Sequence, residues 1–114
     1  MLEYHHVCRV EELPEGAATT VVVRRKLIAV FRDGGRYFAI DDVCPHMGAS
    51  LAGGYVENGT VTCPWHAWRF RLGDGAWADN PRIKIGSYLV RVTDNTIEVG
   101  VEAGPSPPPE EKQP

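Results

Sequence analysis

The chain has 114 residues and a formal net charge of −3. That length suits one domain, and the longest cationic run, Arg24-Arg25-Lys26, is too short for a nucleic-acid-binding face. No apolar stretch approaches the roughly 18 to 20 residues of a membrane span. The start, MLEYHHVCRVEEL, lacks the basic region and apolar core of a secretory signal. The composition therefore predicts a soluble, cytoplasmic chain with neither nucleic acid nor membrane as partner. Its three cysteines are an odd number, which argues for metal ligation over a disulfide framework.

In chain order, Val10–Leu13 offers one short helical turn. Val21–Val23 and Leu27–Phe31 are short β-rich runs. Asp33-Gly34-Gly35 marks a turn, and Tyr37–Ile40 continues the sheet. Residues 41–81 are rich in Gly, Pro, Trp and His. Within them, Gly54–Glu57 and Thr60–Cys63 flank Asn58-Gly59, a strong hairpin signal. Tyr88–Val92 and Ile97–Val101 flank Asp94-Asn95 as a second hairpin. No window shows a sustained 3.6-residue period, so the expected fold class is all-β, with short strands and many turns. From Ala103 the chain runs AGPSPPPEEKQP, with five of the nine prolines and no large apolar residue. Such a composition cannot offset its ordering entropy, so 1–102 reads as the domain and 103–114 as a disordered tail.

Two segments carry the chemistry, Cys44-Pro45-His46 and Cys63-Pro64-Trp65-His66. Each offers one thiolate and one imidazole, and 16 residues (47–62) separate them. The intervening hairpin goes out and returns, so the two loops finish side by side as one four-ligand site. Mixed sulfur and nitrogen donors select zinc or an iron–sulfur cluster. One Cys and one His per loop suits a two-iron centre in which His replaces Cys on one iron.

The run CPHMGASLAGGYVENGTVTCPWHAWRF resembles the cluster-binding segment of Rieske-type ferredoxins. The opening VCRVEELPEG, the approach FRDGGRYFAIDDVCPH and the closing YLVRVTDNTIEV also resemble that family, over roughly residues 4–101. The resemblance implies an antiparallel β-sandwich base with a smaller cluster-binding subdomain, and one [2Fe–2S] cluster per chain. It implies Cys44 and Cys63 on one iron and His46 and His66 on the other. The membrane-anchored members carry an extra disulfide between the loops, but the matching positions here are Ala49 and Trp65. High-potential members place Ser and Tyr hydroxyls where Trp68 and Phe70 stand. Loss of those donors implies a potential toward the low end of the roughly −150 to +300 mV Rieske range. A third loop, Ala76–Pro81, is expected to cover the cluster, and Gly53, Gly54 and Gly59 to supply turns.

The resemblance implies one-electron transfer without a catalytic site of the chain's own. Electrons would pass from a flavin- or NAD(P)H-dependent reductase to a terminal oxidoreductase, as in the ferredoxin component of an oxygenase. The small subunit of an NAD(P)H-dependent nitrite reductase is the alternative context, toward which CPWHAWRF leans. A zinc-stabilised β-domain used for binding is the alternative of another class. Several residues have plainer readings: His5 and His6 as strand ends or exposed residues, Cys8 as a buried strand thiol. Asp41 and Asp42 could steer a partner or open the first loop. Arg69 and Arg71 read as the wet face of a strand. Trp65, Trp68 and Trp77 read as cover for the loops, with Trp65 between two ligands as a docking candidate.

Overall fold

The computed structural model describes residues 2–44, 49–64 and 68–102. His46, His66, Pro45, Gly48, Trp65 and the 103–114 tail lie outside the described residues. The first half of the chain forms β1 (Leu2–Arg9), β2 (Ala18–Val23), β3 (Lys26–Asp33) and β4 (Arg36–Asp41). The middle forms β5 (Tyr55–Glu57), β6 (Thr60–Thr62), β7 (Arg69–Arg71), β8 (Ala76–Trp77) and β9 (Asn80–Lys84). β10 (Ser87–Thr93) and β11 (Thr96–Glu102) complete the chain. Single 3-10 turns occupy Val10–Glu12 and Leu51–Gly53. The all-β expectation is borne out: the strands form two antiparallel sheets, ordered β1-β11-β10-β4-β3-β2 and β5-β6-β7-β8-β9.

Among the described residues, four two-residue turns with positive φ at both positions set hairpin registers. Gly34-Gly35, Asn58-Gly59 and Asp94-Asn95 all have positive φ at both positions, as hairpin turns matching the strand twist require. The fourth, Arg24-Arg25, has φ of 52° and 69°. Arginine carries no turn signal, so composition hides this one. Strand pairing on both sides (Val23 with Lys26) imposes the conformation.

β3 is the wall between two cores. Ile28, Ala29, Val30 and Phe31 are all fully buried, which explains why this run is continuously apolar. Alternation sends Ile28 and Val30 into one core with Ala39, Ile97 and Val99. It sends Ala29 and Phe31 into the other with Ile40, Cys44, Leu51, Val61, Cys63 and Phe70. β11 and β3 are separated by β10 and β4, so in a flat sheet they would stand roughly 14 Å apart. Their side chains share a core, so the six-stranded sheet curls on itself as the sandwich-like base. The five-stranded sheet lies on the other side of β3 as the smaller subdomain.

Several expectations change. His5 and His6 lie within β1 and not at a strand end, and Cys8 lies on the same strand as expected, β1 pairing with β11 on both sides of a register shift between His6 and Cys8. Ala76–Pro81 is not an irregular loop but the β8–β9 hairpin, its tip tied to β7 by the Ala78 N–H donating to the Arg69 carbonyl at 2.8 Å. β9 is an edge strand exposed throughout, where Pro81 costs no ladder bond. Gly54 supplies no positive-φ turn. Its role is close approach, because a Cβ there would stand 2.1 Å from the Thr62 carbonyl oxygen. Gly59, with φ of 79°, does supply a turn.

Gly54→Ala must push β6 away from the 51–54 segment. We expect a loss of about 1–3 kcal/mol in urea unfolding, with the shift in amide NMR signals concentrated at Thr62 and Cys63.

Candidate metal centre

The two cysteine loops are built alike. On the first, Val43 and Ser50 form a β-bridge, and the Cys44 N–H donates to the Ala49 carbonyl at 2.9 Å. On the second, Thr62 pairs with Arg69, and the Cys63 N–H donates to the Trp68 carbonyl at 2.7 Å. Each loop is thus six residues long, begins with its cysteine and is closed by a bond from residue i to i+5. Both cysteines are 1% exposed and belong to the same core cluster. The structure therefore brings Cys44 and Cys63 to the back of one subdomain. None of the three cysteines is in a disulfide.

The first loop is anchored by the Asp41-Asp42 pair, in keeping with the loop-opening reading. Asp42 is fully buried. Its Oδ1 accepts from Ser50 Oγ and the Ala52 N–H, both at 2.9 Å, and its carbonyl accepts from the Leu51 N–H at 2.7 Å. These bonds clamp the strand entering the loop to the turn leaving it. Asp41 faces the other way. Its carboxylate accepts from the Tyr88 hydroxyl and from the Gly86 N–H at 2.8 Å, and Lys26 Nζ lies 3.4 Å away. Burial works to raise the Asp41 pKa, but the Tyr88 and Gly86 bonds and the Lys26 charge outweigh it and hold it below the ordinary carboxylate value.

The second loop is anchored by aromatic packing. Trp68 stacks on Trp77 with ring centroids 3.9 Å apart and planes 11° from parallel. Phe70 is fully buried beneath, paired with Trp77 across β7–β8. The indole Nε1 of Trp77 is buried and has no acceptor among the described residues. Arg69 and Arg71 flank Phe70 on the exposed face, as alternation predicts. Neither the Asp42 clamp nor the Trp68–Trp77 stack is periodic in sequence. The adjacent acidic pair ahead of Cys44 was the one available signal, and it fitted two roles.

Other candidates find plain places. His5 sits on β1, 3.2 Å from Glu3. Cys8 is half-buried on β1, where burial and then the Glu12 charge push its thiol pKa up. An elevated pKa makes it a poor nucleophile.

Two buried thiols opening matched loops over a shared apolar core are a fitting seat for a sulfur-ligated centre, dry and free of competing disulfides. A family model described as Rieske [2Fe-2S] domain matches residues 3–92. The chain belongs to the Rieske [2Fe-2S] domain family. The group implied by this family is a [2Fe–2S] cluster, which displaces the zinc alternative. The anthranilate 1,2-dioxygenase ferredoxin subunit of Burkholderia cepacia is 36% identical over 102 residues, covering 89% of this chain and 94% of the relative. A structure described as an NADH-dependent nitrite reductase small subunit from Mycobacterium tuberculosis superposes with a TM-score of 0.85 at 28% identity, covering 91% of this chain and 99% of the other. A chain from the complex of reduced oxygenase and oxidized ferredoxin in carbazole 1,9a-dioxygenase gives 0.77 at 28% identity, covering 84% and 91%.

Two outcomes test how the loops are held. Trp77→Ala should cost about 3 kcal/mol and lower the exchange protection of the Cys63 amide, whereas Trp77→Phe, which keeps a ring on Trp68, should retain most of both. Because the folded pKa of Asp41 is depressed, its contribution is fully present above the unfolded value near 3.9. It is lost as pH falls through the folded value. The stability gap between wild type and Asp41→Asn, measured by urea unfolding, should therefore be constant near neutrality and close in acid.

Proposed function

We propose that this chain is a one-electron carrier of low potential. Cys44 and Cys63 would hold one iron of the cluster and His46 and His66 the other. The cluster supplies reversible one-electron chemistry when bound. The single observation that carries the reading is the matched pair of six-residue loops, each opening on a buried cysteine of the same core. The chain's own residues do the remaining work. Asp42 and the Trp68–Trp77 stack hold the loops, while Leu51, Val61, Phe70 and Leu72 keep water from the thiolates. The likeness to dioxygenase ferredoxin subunits and to a chain of an oxygenase–ferredoxin complex supports a route from a reductase to a terminal oxygenase. It would operate in the cytoplasm, in keeping with the absence of any described helix long and apolar enough to cross a membrane.

The potential follows from what surrounds the second loop. Phe70 offers no side-chain donor where the high-potential members place a hydroxyl, and Trp68, with no small hydroxyl either, stacks on Trp77. Fewer hydroxyl donors to the sulfurs mean that the added electron is held less well, which lowers the potential. A second reading, the small subunit of a nitrite reductase, draws on the higher TM-score of 0.85. Co-purification of the tagged chain from its native cell distinguishes the two by whether an oxygenase or a nitrite reductase large subunit is retained.

The purified protein should be reddish-brown, carry two irons and two sulfides, show a Rieske-type EPR signal on reduction and titrate near the low end, about −150 mV. A colourless protein with one zinc would sink the proposal. Cys63→Ala should abolish the colour yet leave a cooperative unfolding transition, since the Ile28, Val30, Ile97 and Val99 core is separate from the thiols.

A further inference from the structure

The β2–β3 hairpin tip stands at the same end of the molecule as the first cysteine loop. β3 begins at Lys26, and the Leu27 carbonyl accepts from the Asp42 N–H at 3.0 Å, two residues before Cys44. Arg25, Lys26, Leu27, Asp41 and Val43 line one shallow hollow of ≈ 270 Å³ between the tip and the loop. Three of the exposed large apolar side chains gather here. Val22 is 67% exposed, its cross-strand partner Leu27 37%, and Val43 48%. Around them run Arg24, Arg25 and Lys26, three consecutive cations in a chain whose net charge is −3. Arg24 lies 3.3 Å from Glu3 and Lys26 3.4 Å from Asp41, and Arg25 makes no ion pair among the described residues.

Elsewhere Arg9 pairs with Glu11, Arg32 with Glu15, Arg69 with Asp79, Arg71 with Asp74 and Arg91 with Glu98, and with Arg24 and Lys26 paired as above, Arg25 is the cation of the tip that no described carboxylate matches. An apolar centre with a charged rim is the anatomy of a transient protein interface, in which charge sets the encounter rate more than the affinity. The position also suits brief contact, because it brings a partner to the loop that begins at Cys44 without burying the base.

We propose that the β2–β3 tip, with Leu27 and Val43, is the docking surface for an electron-transfer partner that presents carboxylates around an apolar patch. The inference rests on the electron-carrier reading and adds the sign and place of the encounter. The rest of the surface, net acidic, would repel such a partner and so orient it toward the tip.

The test uses the cluster-loaded protein, reduced and then oxidised in a stopped-flow by two probes of opposite charge, ferricyanide and hexaammineruthenium(III). Arg25→Glu changes the rim without touching an ion pair. Arg9→Glu makes the same charge change at the other end, since Arg9 pairs with Thr96 beside the Asp94-Asn95 turn. That turn lies roughly 20 Å along β10 from its Ser87 end, which pairs with Ile40 near the loop. At low salt Arg25→Glu should slow ferricyanide by about threefold to tenfold and speed the cationic probe. Both effects should fade at high salt, where screening is complete within a few ångströms, and Arg9→Glu should change either rate far less. Potentials measured for each variant separate encounter from driving force. Equal responses of the two variants, or none, in a loaded protein would overturn the docking surface alone. An iron-free protein would overturn the electron-carrier reading and this inference with it.

Discussion

The constraint on which the structure depends is that β3 and the end of β4 are buried on both faces. A strand covered on one side can alternate polar and apolar residues; a strand covered on both cannot. Ile28 and Val30 complete the base core, and Ala29 and Phe31 complete the core beneath the cysteines. The subdomain that carries the loops therefore packs on the base across β3 and the end of β4. A shift of β3 by one residue would exchange the two sets of side chains and spoil both cores at once. That coupling fixes where β4 ends, and hence where Cys44 begins its loop.

From that point the two loops are positioned by different means to the same geometry. The first is held by Asp42, whose buried carboxylate accepts from a hydroxyl and one backbone amide and whose carbonyl accepts from a second amide. The second is held by stacked indoles and a buried phenyl ring. Polar clamping and aromatic packing meet at a common result: a cysteine amide bonded to the carbonyl five residues on. Each loop places a buried thiol at its first position, held by the same closure.

The molecule separates holding from meeting. The base core of Leu13, Ile28, Val30, Ile97 and Val99 contains no group of the metal centre. The charges of Arg24–Lys26 reach the loop end through β3 without entering either core. Such a division lets surface charge vary while the seat of the cluster stays intact.

Much of this was legible beforehand. The all-β class and the Asn58-Gly59 and Asp94-Asn95 hairpins follow from residue type and spacing, and the Cys44 and Cys63 that the sequence singled out are both buried in one core. Turn chemistry and metal chemistry are local, so a short stretch of sequence suffices for them. The sequence by itself determined which residues could bind metal and which turns would form. Only the tertiary structure decided that Asp42 is a clamp, that Trp77 supports Trp68, that Gly54 serves close approach, and that Arg24-Arg25 turns a hairpin beside the first loop. Those roles depend on contacts between segments distant in the chain, and no local preference of the residues encodes them.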